Sequence, residues 1–87
     1  MAEHYIYRGQ LKDSRIEGQG EFKWPDGRHY IGEFRNSFMH GHGKLLWLDK
    51  SGGKSVYKGD FQANVFHGIG RLAWANGDVY EGCFENG

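Results

Sequence analysis

The chain has 87 residues, with eleven Lys and Arg balancing eleven Asp and Glu. That length holds one small domain, and a neutral balance with no basic run argues against non-specific nucleic-acid binding and against attraction to anionic lipid. Fifteen glycines, well over the usual share of about 7%, stand beside a single Pro and no low-complexity stretch, which points to turns and close backbone approach.

Seven strands are expected in chain order, near residues 5–12, 18–24, 29–35, 42–48, 55–62, 69–74 and 79–85. In each, apolar residues and glycines fall on every second position, as in Tyr30, Gly32 and Phe34 or Gly41, Gly43, Leu45 and Trp47. A period of two makes strands with one apolar and one mostly wet face. No helical stripe is present. Pro25-Asp26-Gly27 and Ala75-Asn76-Gly77 suit three-residue hairpin loops with glycine in the left-handed position. Such loops pair Phe22 with Tyr30, Gly20 with Gly32 and Gly18 with Phe34, and likewise Leu72 with Tyr80, Gly70 with Gly82 and Gly68 with Phe84. A longer, even connection after Phe34 is expected to pair Gly32 with Gly43, Phe34 with Gly41 and Tyr30 with Leu45. Leu11 is expected to face Gly18.

The strands repeat. Tyr7-x-Gly9-x-Leu11 returns as Tyr30-x-Gly32-x-Phe34, Tyr57-x-Gly59-x-Phe61 and Tyr80-x-Gly82-x-Phe84, at tyrosine spacings of 23, 27 and 23. The first three copies are followed by Gly-x-Gly runs ending at Trp24, Trp47 and Trp74. A fixed period in the twenties means a repeat array whose units bury their apolar sides only by stacking. One domain over residues 5–87 is expected, with repeats at 7–29, 30–56, 57–79 and a partial fourth at 80–87. The implied register lines Gly9, Gly20, Gly32, Gly43, Gly59, Gly70 and Gly82 into one row, with Phe34, Phe61 and Phe84 lying over cross-strand glycines.

These residues resemble the MORN repeat (membrane occupation and recognition nexus). Its pattern runs Tyr-x-Gly-x-Phe/Trp, a turn, then His-Gly-x-Gly. The chain matches it at Tyr30-Gly32-Phe34 with His40-Gly41-His42-Gly43, and at Tyr57-Gly59-Phe61 with His67-Gly68-Ile69-Gly70. Glu17 replaces the first His, Leu11 replaces an aromatic, and Ser14, Ser37 and Asn64 stand where turn glycine is usual. Four extra residues lie between Trp47 and Tyr57. The resemblance implies an all-β, single-layer, twisted antiparallel meander with one hairpin per repeat. It also implies a scaffold or partner-binding role, often in cytoskeletal, junctional or ciliary assemblies. Some relatives of this kind are attached to enzymes, and some are linked to phosphoinositides.

The expected function is a non-catalytic module that binds a partner peptide or helix through its aromatic, glycine-rich face. Tyr7, Phe22, Trp24, Tyr30, Phe34, Trp47, Tyr57, Phe61, Trp74, Tyr80 and Phe84 all project to that side. A one-layer sheet has nothing to cover them, and exposed apolar patches are usually interaction surfaces. The residues assigned to the partner are Trp24, Tyr30, Phe34, Trp47, Tyr57, Phe61, Trp74 and Tyr80. The alternatives are a phosphoinositide or membrane platform, which needs clustered Lys/Arg, and a regulatory domain of a larger enzyme. The last strand, Tyr80 to Phe84, is expected to have an open edge. The array therefore either continues or associates edge to edge with itself or a partner.

Other motifs carry less. His40 and His67 are expected to make turn hydrogen bonds; His40-x-His42 stands with a single Cys and no convergent carboxylate cluster, so no metal site is expected. Gly53-Lys54-Ser55 lacks the preceding glycine of a phosphate loop, since Leu48 stands there; a flexible hairpin tip is expected. Cys83 has no base or triad around it, so no enzyme activity and no cofactor are expected. One cysteine, no signal-peptide pattern at Met1-Ala2-Glu3-His4, no Met-Gly start for myristoylation, no Asn-x-Ser/Thr sequon and no long apolar stretch favour a cytoplasmic or cytoskeletal setting.

Overall fold

The structure is a computed structural model and describes residues 5–85. Its strands are β1 (Ile6–Lys12), β2 (Arg15–Lys23), β3 (His29–Arg35), β4 (Phe38–Leu48), β5 (Lys54–Gln62), β6 (Val65–Ala73) and β7 (Val79–Phe84). They form one antiparallel sheet in the order of the chain, with β1 and β7 at its edges. The sheet is a slab with extents of 40 × 34 × 16 Å. The all-β single-layer meander is as expected.

The glycine row is continuous. Gly9 faces Gly20, Gly20 faces Gly32, and the pairing runs on through Gly43, Gly59, Gly70 and Gly82. Phe34, Phe61 and Phe84 face Gly18, Gly41 and Gly68 across the strands, while the rings that lie on the glycine row itself are those of the tyrosines. A Cβ on Gly20 would stand 2.7 Å from a ring carbon of Tyr7, one on Gly43 2.5 Å from Tyr30, and one on Gly70 2.5 Å from Tyr57. Each ring thus crosses from its own strand onto the next. Its hydroxyl donates to a carbonyl three residues on: Tyr7 to Gln10 at 2.7 Å, Tyr30 to Glu33 at 2.8 Å, Tyr57 to Asp60 at 2.7 Å and Tyr80 to Cys83 at 3.0 Å. Tyr30 and Tyr57 become wholly buried in this way, in a core with Phe34, Met39, Phe61 and Leu72.

Strands β2, β4 and β6 begin three or four residues earlier than expected. The odd-to-even connections are two-residue turns, not long loops. Asp13-Ser14, Asn36-Ser37 and Ala63-Asn64 all have positive φ, between 47° and 73°, the geometry that suits the twist of a hairpin. Leu11 therefore faces Ile16, and Phe34 faces Met39, in place of Gly18 and Gly41. The register recovers through a bulge. There Gly18, Gly41 and Gly68 take left-handed φ of 75°, 64° and 67°. The side chains of Gln10, Glu33 and Asp60 accept the amides that the bulge frees, from Gln19 at 2.7 Å, His42 at 2.7 Å and Ile69 at 3.0 Å.

Ser37 and Asn64, which replace the usual turn glycine, tie each turn to the preceding repeat. The Ser37 amide donates to the Ile16 carbonyl at 2.9 Å, and its Oγ accepts from the Ile16 amide at 3.2 Å. Asn64 does the same with Met39, at 3.0 and 2.8 Å. At the opposite end, Gly27 and Gly77 close their loops with φ of 99°. The four extra residues of the second copy lengthen the β4–β5 hairpin by two cross-strand pairs, Trp47 with Ser55 and Leu48 with Lys54. Lys54 and Ser55 are therefore strand residues and not a flexible tip. Ser55 is 2% exposed, and its Oγ accepts the Ala75 amide at 3.1 Å.

Gly43→Ala should destabilise the sheet by about 1–3 kcal/mol, because the Tyr30 ring must be pushed off its neighbour. Asn64→Ala should cost about 2 kcal/mol, combining a lost cross-repeat hydrogen bond with a left-handed alanine. Urea unfolding followed by tryptophan fluorescence measures both.

Candidate functional site

The aromatic face divides into a buried inner part and an exposed outer row. Tyr30 and Tyr57 show no surface, and Phe34 and Phe61 are 6% and 3% exposed. These four were expected to meet a partner; instead they are the core that holds the face together. Tyr57 stacks on Phe66 at 3.9 Å and 12°, and Tyr30 meets Phe34 and Phe61 edge-on at 5.0 and 5.1 Å. Offset and edge-to-face rings of this kind add to simple burial.

Trp24, Trp47 and Trp74 each lie two residues beyond the row of Phe22, Leu45 and Leu72, on the loop side of the sheet. They are less consumed by the core. Trp24 and Trp47 are half-buried, while Trp74 and Tyr80 are 42% and 44% exposed. Trp24 packs on Phe22 at 4.6 Å and carries the Arg28 guanidinium 4.8 Å above its ring. Asp26 accepts the Arg28 amide at 3.1 Å and holds that guanidinium at 2.9 Å, contacts that draw its carboxyl below the ordinary range. Trp24, Arg28, Phe22 and Met39 line a depression of about 320 Å³ that Ser37 and Asn64 close at the tight-turn end. Trp47, Trp74 and Tyr80 do not line it, so the site residues share a face but form no single pocket.

Three contributors were missed in the sequence. Ile16, Met39 and Phe66 pack on this face just after the tight turns. Their signal is the alternation Ile16-x-Gly18, Met39-x-Gly41 and Phe66-x-Gly68. The histidines do not close the turns as expected. The Nδ1 of His67 is buried without a partner, and Ser37 and Asn64 supply the turn bonds instead. Cys83 is exposed on the opposite face, across from Ile69.

A one-layer meander of repeating hairpins, with its tyrosines folded inward and its indoles set outside them, is a repeat protein that presents a surface. The MORN repeat model matches residues 7–27, 30–51 and 57–79, and the chain belongs to the MORN-repeat family. It is similar to Alsin of Homo sapiens, 36% identical over 81 residues that cover 92% of this chain and 5% of Alsin. Alsin of Mus musculus matches to the same extent. The ALS2 C-terminal-like protein of Bos taurus is 34% identical over 82 residues, 93% of this chain and 9% of that protein. The chain thus spans only a small part of the length of these curated relatives. MORN repeats are in general protein- or membrane-interaction modules.

Burial raises the Tyr30 and Tyr57 hydroxyls above their ordinary range, and the nearby Glu33 and Asp60 carboxylates add to it. The folded chain therefore holds these protons more tightly than the unfolded one. The associated stabilisation is complete below the unfolded tyrosine pKa of about 10 and is lost as pH rises past it towards the folded values. Tm should fall as pH passes about 10. The fall should be shallower in a Tyr30→Phe/Tyr57→Phe variant, which starts about 2 kcal/mol less stable for its two lost hydroxyl bonds. Thermal melts between about pH 8 and 11 check this.

Proposed function

We propose that this chain is a non-catalytic protein-interaction module that receives a peptide or helix on its aromatic face, through Trp24, Trp47, Trp74 and Tyr80. The observation that carries this reading is the exposure gradient on that face. Tyr30 and Tyr57 are sealed by their own neighbours, while Tyr80 and the indole row outside them keep open surface on a sheet with no second layer among the described residues. Trp and Tyr are the side chains most often found as interface anchors, and the Trp24–Arg28 stack adds a cation beside an apolar depression. A cytoplasmic scaffold role belongs to the same reading and is supported by an exposed thiol, Cys83, with no disulfide partner in the chain.

Photo-crosslinking from position 24 or 47 in cells, followed by mass spectrometry, should identify the partner. The purified partner is then titrated by calorimetry. Trp24→Ala and Trp47→Ala should each weaken binding about tenfold with little loss of sheet signal, as hot-spot truncations do. Phe61→Ala should instead unfold the chain, costing about 3–5 kcal/mol. Affinity unchanged in both tryptophan variants would reject the aromatic face as the docking surface.

A further inference from the structure

The face opposite the aromatic one carries a charge pattern that appears only once the strands are in register. One row across the sheet reads Arg8, Glu21, Ile31, Lys44, Lys58, Arg71 and Glu81, each residue directly facing the next on the neighbouring strand. At its ends the row sets opposite charges against each other, Arg8 against Glu21 and Arg71 against Glu81. In its middle it sets Lys44 against Lys58 and Lys58 against Arg71. Like charges facing each other across strands are destabilising, and here the arrangement stands in a chain with no net charge.

Among the described residues the middle of the row is not neutralised by ion pairing. Lys44 and Lys58 make no ion pair among the described residues, and Arg71 reaches Glu81 only at 3.7 Å with both side chains more than half exposed. The carboxylates of the next row are engaged elsewhere. Glu33 accepts the His42 amide, and Asp60 accepts the Ile69 amide and the His42 imidazole at 2.9 Å. Beside the row lies a depression of about 370 Å³ along Gly32, Gly43 and Gly59, flanked by Ile31, Lys44 and Lys58 on the row's side and by Gln19, Glu33 and His42 on the other.

The spacing selects the ligand. Neighbouring strands lie about 4.8 Å apart, so three cations on β4, β5 and β6 recur at that step. Carboxylates three or four residues apart on a helix recur at about 5–6 Å, close to it. Same-side residues of an extended segment recur at about 6.7 Å and fall out of step by the third contact. Ile31 continues the row by one strand and offers an apolar contact next to Lys44.

We propose that this second face binds the acidic stripe of a helix from a protein partner, lying across the strands, with Lys44, Lys58 and Arg71 meeting successive carboxylates and Ile31 an apolar side chain at the stripe's end. The surface is separate from the indole row and does not depend on the reading given for it.

The test uses the 87-residue chain and an alanine-based helical peptide with Glu at positions i, i+4 and i+7, compared with its Gln counterpart by fluorescence anisotropy. Vesicles of phosphatidylcholine, with and without phosphatidylserine, form a second arm. The Glu peptide should bind at least about tenfold more tightly than the Gln peptide and weaken between about 0.05 and 0.5 M salt. Lys44→Gln/Lys58→Gln should reduce that affinity about tenfold while holding or raising Tm, because the repulsion between the two ammonium groups is gone. Trp24→Ala should leave it unchanged. Equal binding of the two peptides, or an unaltered affinity in the double lysine variant, overturns the proposal. So does binding to phosphatidylserine vesicles alone that the lysine variant abolishes, which would make the row a lipid contact.

Discussion

A tyrosine ring laid across the glycine of the next strand is the contact on which this molecule depends. A single sheet has no second layer to shield its apolar side. Here each repeat makes its own cover: the ring folds flat over a backbone with no side chain, and its hydroxyl returns to the strand it came from. The contact works only if glycines line up across every pair of strands, so it dictates the register. It also sets the limit of the core. Side chains two positions further out have no glycine platform, and the indoles there stay partly in solvent.

Much of the register was readable because odd loops conserve parity. Once Pro25-Asp26-Gly27 is a three-residue loop, Gly20 must face Gly32 and Phe22 must face Tyr30. The starts of β2, β4 and β6 were hidden by Gly18, Gly41 and Gly68. These look like first strand residues but are left-handed bulge positions inside the strands. Placing the strand start at the bulge removes Ile16, Met39 and Phe66 from the apolar face and lengthens the turn. Ser37 and Asn64 then read as departures from the family pattern, when each supplies a cross-repeat hydrogen bond.

The candidate site was legible as a face and not as a depth. Alternation places Tyr30, Phe34, Trp47 and Phe61 on one side equally well. Only packing separates the rings that are consumed from those that are left over. The cationic row illustrates the opposite case. Lys44, Lys58 and Arg71 are fourteen and thirteen residues apart in the chain and form no local run. They become neighbours through strand pairing, so a scan for basic clusters passes over them.

The clip between each of the last two tight turns and the strand two places back has a mechanical consequence. Ser37 grips Ile16 and Asn64 grips Met39, each by a donor and an acceptor, so hairpins are joined by more than the ladder between adjacent strands. A bond that skips a strand fixes the angle between hairpins as well as their separation. The sheet then resists flexing at that margin, while the opposite margin, with its longer loops, has fewer such ties among the described residues. With four such bonds at the tight-turn margin and the Ala75–Ser55 bond at the other, the loop side is the one with less to resist a hinge-like opening.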